Sequence, residues 1–238
     1  MMNQRKVVVL TGAGVSAESG LRTFRDNNGL WEQHRVEEVA TPEAFQANPE
    51  LVYRFYNARR QQLQEPDVQP NAAHRALARL EQHLGSNLTV VTQNVDDLHE
   101  RAGSQQVLHM HGQLMSARCV ASGIRRPFTR SFDATTACTC CQPANQLRPD
   151  IVWFGETPMF MDTIIMAVTQ ADLFIAIGTS GQVYPAAGFA QLAHESGVRT
   201  VELNLEPDVN HPYFDEHRQG PAGLIVPQFI DELIQTNA

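Results

Sequence analysis

In 6-KVVVLTGAGVSA-17 a strand-like run of valine and leucine breaks into Gly-Ala-Gly and then into small and polar residues. Glycine weakens regular structure, so two of them at a strand end call for a reason. Gly12, Ala13, Gly14, Val15, Ser16 and Ala17 fit the G-x-G-x-x-G/A spacing of a strand-to-helix turn, where missing side chains let backbone N–H groups approach a phosphate. A helix starting near Ser16 would aim its positive end at that anion. A merely tight turn fits the same residues, so the motif needs support from elsewhere. The usual dinucleotide unit continues with a full helix and a second strand ending in an acidic residue about twenty positions on. Here the chain departs from it and reads 21-LRTFRDNNGLW-31, loop-like and rich in Arg, Phe and Trp. That composition predicts a mobile lid over a ligand.

Outward from this turn, short apolar runs alternate with helical patterns. KVVVLT, LTVVTQ (88–93), VLHMH (107–111), DIVWF (150–154), DLFIAIG (172–178), RTVELN (199–204) and GLIV (223–226) read as strands. Most lack polar alternation, as expected where helices cover both faces of a parallel sheet. Asn48-Pro49 opens a helix through about Gln64, and Asn71 to Leu84 carries apolar residues at helical spacing before Gly85. Tyr184-Pro185 opens another helix, and Pro227 the last. The fold class is therefore α/β with a doubly wound parallel sheet. Residues 27–70 (helical, without a strand) and 113–148 (holding the cysteines, with little periodicity) interrupt the alternation. They predict a smaller second domain made of insertions, leaving 1–26, 71–112 and 149–238 to the nucleotide-binding domain.

At 238 residues the chain can bury a substantial core. A net charge of −8 argues against nucleic acid as the main partner, since no basic field would gather phosphates. No apolar run approaches a membrane span, and the first residues lead directly into a core strand, so the expectation is a cytoplasmic, monomeric enzyme without a membrane partner. All four cysteines (Cys119, Cys138, Cys140, Cys141) share one short window, which suggests a metal site or thiol chemistry and not a disulfide framework.

The carboxyl ends of parallel strands line the ligand crevice. Behind LTVVTQ, which ends in Gln93, come Asn94 and Asp96; Asn94 or Asp96 read alone is an ordinary helix cap. The next strand ends in His109-Met110-His111-Gly112, and His111 is a general-base candidate because imidazole titrates near neutrality. Further strand ends supply Gly178-Thr179-Ser180-Gly181 and Asn204-Leu205-Glu206. Five strand ends that converge on small, polar or acidic residues predict one active crevice.

GAGVSAESGLRTFRD, TQNVDDLH, HMHG, the cysteine cluster, VWFGE, GTSG and NLE, in this order, resemble the sirtuin family of NAD-dependent protein lysine deacylases. With Tyr56 and Arg59 the chain resembles the bacterial members of the desuccinylase-type class. The resemblance implies a Rossmann-like domain and a small zinc-bearing domain with NAD between them. It places phosphates on Gly12, Ala13 and Gly14, the nicotinamide ribose under Thr23, Phe24, Arg25 and Asp26, and the nicotinamide half against Gln93, Asn94 and Asp96. Ser180, Asn204, Glu206 and Ala222 match contacts to the adenosine half. The acyl-lysine oxygen would displace nicotinamide from the ribose, and His111 would act as base on a ribose hydroxyl that attacks the acyl carbon. Nicotinamide, O-acyl-ADP-ribose and free lysine are the implied products. Substrate peptide would add as a strand between Val152, Phe154 and Gly155 on one side and the loop near Val183 on the other.

Two finer expectations complete this reading. The family offers two Cys-x-x-Cys pairs for zinc, whereas here Ser122 stands in the fourth place of the first. Cys119, Cys138 and Cys141 are the expected ligands, with Cys140 as a possible fourth and weak or lost binding as the alternative. Tyr56-x-x-Arg59 marks members that accept negatively charged acyl groups such as succinyl or malonyl, for which a guanidinium is a forked, permanently charged partner. The competing readings are mono-ADP-ribosyl transfer to protein from the same site and non-catalytic NAD sensing.

Overall fold

The computed structural model describes residues 5–21, 30–31, 34–207 and 211–236. Strand β1 (Val7–Thr11) is followed by a short antiparallel pair, β2 (Leu30–Trp31) and β3 (His34–Arg35), and by helices α1 (Val36–Val39), α2 (Pro42–Ala47), α3 (Pro49–Leu63) and α4 (Ala72–Leu84). Next come β4 (Leu88–Thr92), α5 (Leu98–Ala102), β5 (Val107–His109), β6 (Gly112–Cys119), β7 (Arg125–Pro127) and β8 (Leu147–Ile151). They are followed by α6 (Met161–Thr169), β9 (Leu173–Ile177), α7 (Phe189–Glu195), β10 (Arg199–Asn204), β11 (Glu216–Gln219) and α8 (Ala222–Thr236).

Six strands form one sheet in the order β11-β10-β9-β1-β4-β5, with every neighbouring pair parallel. The continuous apolar run of β1 is explained by its two faces. Val7 and Val9 pack with Leu77, Leu80, Ile225 and Phe229 from α4 and α8. Val8 and Leu10 pack with Ile164, Phe174 and Phe189 on the side of α6 and α7. Strand order reverses at β1, which has β4 on one flank and β9 on the other, so the switch point of the sheet opens just beyond Thr11. A second, antiparallel sheet runs β7-β6-β8, and its core joins Tyr53 of α3 to Ala117, Phe132 and Leu147.

Several sequence expectations are corrected. GLIV is not a strand: it lies in α8, and Pro227 sits inside that helix and does not open it. Proline costs one internal hydrogen bond there, which the burial of Ile225, Val226, Phe229 and Ile230 outweighs. The strand expected at DIVWF ends at Ile151 and belongs to the antiparallel sheet. The parallel sheet instead gains β11, which reads EHRQ and carries no apolar signal. No α-helix starts near Ser16. Two 3-10 turns, Ala13–Val15 and Ala17–Ser19, end at Gly20 in the left-handed region. Residues 27–70 do contain a strand pair, and 113–148 hold most of β6 and all of β7.

Candidate active site

The glycine turn owes its sequence first to packing. The amide of Gly12 donates to Ile177 O (3.0 Å) and that of Gly14 to Gly178 O (2.9 Å), so the turn lies on the end of β9. A Cβ on Gly12 would stand 2.7 Å from Gly178 O, and one on Gly14 would stand 2.8 Å from Gly178 Cα. Gly178 itself has φ +58° and would drive a Cβ to 2.6 Å from the Val15 amide. Three glycines thus let two strand ends meet without side chains at the sheet's switch point, where a phosphate would have to approach backbone.

Around this turn the polar strand-end residues interlock. Ser16 donates its hydroxyl to Asp96 Oδ2 (3.0 Å) and accepts from Asn94 Nδ2 (3.1 Å). Asp96 also accepts from the Leu98 amide (3.1 Å) and is buried. Burial raises its pKa to about 6, against the pull of these two hydrogen bonds. Gln93 reaches across to Thr179 Oγ1 (3.0 Å), and Asn204 donates to Thr179 O (2.9 Å) and to Glu202 (3.1 Å). Behind them His74 and His99 are buried with pKa values depressed by desolvation, and His99 Nε2 contacts Thr11 Oγ1 at 3.0 Å.

Two histidines leave the end of β5, and their bonds differ. His109 is buried with Nδ1 3.2 Å from Asn94 O and Nε2 2.6 Å from Glu100 Oε1. Desolvation opposes its charge, yet the Glu100 carboxylate prevails and its pKa is raised. His111 is half-buried, with Nδ1 3.1 Å from Gln93 O. Desolvation lowers its pKa, with the Gln93 bond pulling the other way. Because a carbonyl only accepts, Nδ1 carries the hydrogen and Nε2 of the neutral ring is left with its lone pair.

The 152–155 segment straps over this corner. Val152 donates its amide to His111 O (2.9 Å), Trp153 to Glu156 Oε2 (2.9 Å) and Phe154 to Ala40 O (2.9 Å). Phe154 is half exposed, and Gly155 has φ +88° with open space around its Cα. Tyr56 is wholly buried and accepts from the indole N–H of Trp153 (3.0 Å), while the Arg59 guanidinium lies 5.1 Å from the Phe55 ring centroid. Ser180, Val183 and Ala222 are each partly buried, Ser180 and Val183 in the loop after β9 and Ala222 as the first residue of α8. Glu206 is exposed beyond β10. Thr23, Phe24, Arg25 and Asp26 lie outside the described residues.

The cysteine question resolves geometrically. Cys119, Cys138, Cys140 and Cys141 place their four sulfurs within 4.8 Å of one another, with Cys119–Cys141 at 3.7 Å and Cys140–Cys141 at 3.9 Å. Tetrahedral zinc with Zn–S bonds of about 2.3 Å requires sulfur separations of about 3.8 Å, so the thiol set fits a structural zinc. All four thiols, with Cys140 in the possible fourth place, could hold one such ion, and the Ser122 hydroxyl lies 3.2 Å from Cys140 Sγ.

A doubly wound sheet with a glycine turn at its switch point, an uncharged histidine over the same crevice and a cysteine knuckle defines a nucleotide-binding α/β enzyme. The Sir2 family matches residues 12–185, and the chain belongs to that family. It is 58% identical over 235 residues to the NAD-dependent protein deacylase of Yersinia pestis, covering 99% of this chain and 84% of the relative. The protein of the same name in Escherichia coli (strain K12) is 57% identical over 234 residues, covering 98% and 84%. A solved Sir2 homolog–NAD complex superposes with a TM-score of 0.87 at 37% identity, covering 99% of this chain and 92% of that one. A Sir2–p53 peptide–NAD+ complex superposes with a TM-score of 0.76 at 30% identity, covering 98% and 94%.

Proposed function

We propose that this protein is an NAD-dependent protein lysine deacylase that removes acetyl, succinyl and malonyl groups, yielding nicotinamide, O-acyl-ADP-ribose and free lysine. The observation that carries the reading is the pair formed by a neutral His111 with a bare Nε2 and the Ser16–Asn94–Asp96 cluster, both at the switch point of a Sir2-type sheet. NAD supplies an electrophilic ribose carbon with nicotinamide as its leaving group. The protein's part is to bind, orient and exchange protons.

In this reading Gly12, Ala13, Gly14, Ser16 and Ala17 cradle phosphate, Thr23, Phe24 and Arg25 cover the ribose, and Gln93, Asn94 and Asp96 orient the nicotinamide half. Gly178, Thr179, Ser180, Asn204, Glu206 and Ala222 take the adenosine half. His111 removes a proton from a ribose hydroxyl through Nε2, and the Gln93 carbonyl holds the ring for it. The amides of Val152, Trp153 and Phe154 all donate within the chain, so a peptide added at this strap pairs with its carbonyl oxygens, each of which accepts two bonds. Cys119, Cys138, Cys140 and Cys141 would hold a zinc that fastens the smaller domain (27–70 and 113–148) and takes no part in the chemistry. Tyr56 and Arg59, one helical turn apart on α3, read an acidic acyl group.

His111→Ala tests the assignment. Deacylation should fall by at least about a hundredfold, the range of a lost general base, while NAD affinity measured by calorimetry stays within a few-fold. Near wild-type turnover in that variant would remove His111 from the chemistry.

A further inference from the structure

Trp153 lies inside the strap that flanks His111, yet its side chain turns away from the surface and is 2% exposed. Its indole N–H donates to the Tyr56 hydroxyl oxygen at 3.0 Å. The ring is held by two side chains and its backbone by a third. The Arg148 guanidinium stacks 3.4 Å from its centroid, the Phe45 ring packs 5.2 Å away, and the Trp153 amide is bound by Glu156. Glu156 in turn grips buried Arg148 through both carboxylate oxygens, at 2.7 and 3.0 Å. Such a fixed indole has a definite chemical consequence. Indole nitrogen is only a donor, so the Tyr56 oxygen must accept from it and turn its own proton to a different acceptor. Burial pushes the Tyr56 phenol far above its ordinary pKa, against the bond from Trp153, so the proton is retained.

We propose that Trp153 is a positioning residue for acyl selectivity: its N–H fixes Tyr56 as a hydrogen-bond donor, which favours a carboxylate-bearing acyl group over a neutral one. The proposal rests on the reading of Tyr56 and Arg59 given above. Within it, Trp153 links the peptide-flanking strap to the acyl-reading helix, so the residue that stiffens one also orients the other.

The test uses the full chain and the ratio of kcat/KM for matched succinyl- and acetyl-lysine peptides. Trp153→Phe keeps a ring over Arg148 but removes the donor. The succinyl-to-acetyl ratio should fall about fivefold to tenfold, chiefly through the KM for the succinyl peptide, which is the scale of one neutral hydrogen bond. Incorporating 3-benzothienylalanine at 153, a near-isostere without the N–H, should give the same fall and guards against misfolding of the phenylalanine variant. Tyr56→Phe combined with Trp153→Phe should lower the ratio no further than Tyr56→Phe alone, because Trp153 acts through that hydroxyl. A fall on both peptides alike, or additive losses in the double variant, overturns the proposal even if Tyr56→Phe and Arg59→Met are selective. If those two variants also leave the ratio unchanged, the acyl-reading assignment fails, and the role of Trp153 fails with it.

Discussion

His109 and His111 leave the same strand end with pKa values shifted in opposite directions, and pH separates them. The lowered pKa of His111 keeps it neutral to below the ordinary imidazole value of 6.5. The acid limb of kcat/KM should therefore lie below that value; a limb centred above it would point to a base held like His109, whose pKa the Glu100 carboxylate raises against desolvation. Asp96 carries a second pH signature. Its pKa is raised by burial from 3.8 to about 6, so the folded state binds the proton more tightly than the unfolded chain does. Stability from this group is then full below the unfolded value and is lost as pH rises through about 6, on the order of 2–3 kcal/mol at pH 7.5. Asp96→Asn should remove that loss: denaturant midpoints at pH 7.5 should equal or exceed wild type while deacylation falls. A variant less stable than wild type at pH 7.5 would mean that the carboxylate is needed to hold Ser16 and Leu98. At this scale the sequence named Asn94, Asp96 and His111 because each follows a strand end. It could not show that Ser16 bonds both Asn94 and Asp96, since that contact spans about eighty residues of chain.

Elements carry the next set of claims. The chain bends through Cys138-Thr139-Cys140-Cys141, and the three sulfurs lie close to Cys119 at the end of β6. Cys140→Ala should lower bound zinc well below one equivalent and reduce the melting temperature, because the metal's binding energy is folding energy here. Ser122→Ala should keep zinc near one equivalent. The opposite pair of results, read by metal analysis of the purified variants, would return the fourth place to Ser122. On α3, Arg59→Met should cost desuccinylation on the order of 2–4 kcal/mol, the penalty for leaving an acyl carboxylate unpaired, with a much smaller effect on deacetylation. Equal losses on both peptides would make Arg59 a structural residue. Central strands such as β1 and β9 were legible because their faces are both buried and their residues are Val, Ile and Leu. The edge strand β11 was not, since it presents Glu, His, Arg and Gln. GLIV failed for the reverse reason: four apolar residues fit a strand or one buried turn of helix, and packing against α4 decides for the helix. The strand β6 hid because its buried positions mix Leu114 with Gly112, Ser116 and Ala117, and a register shift between Gly112 and Ala117 breaks the alternation.

At the scale of the whole molecule, the sheet's switch point and the strap at 152–155 flank His111, and the thiol knuckle lies at the far end of β6. The sheet brings Gly12, Asn94, His111 and Gly178 to its carboxyl end, and β6 runs from His111's neighbour Gly112 to the first cysteine, so a single strand ties the proposed catalytic histidine to the cysteine cluster. Family membership fixes the class of chemistry, while the acyl group and the products are proposals that product analysis decides. Among the described residues no helix is long and apolar enough to cross a membrane. The most direct measurement is mass spectrometry of the products formed from NAD and matched acetyl- and succinyl-lysine peptides. Free lysine, nicotinamide and O-acyl-ADP-ribose should form in equimolar proportion to one another with each peptide, and His111→Ala should remove the free lysine and the O-acyl-ADP-ribose. Nicotinamide release with intact acyl-lysine and ADP-ribose attached to protein would contradict deacylation.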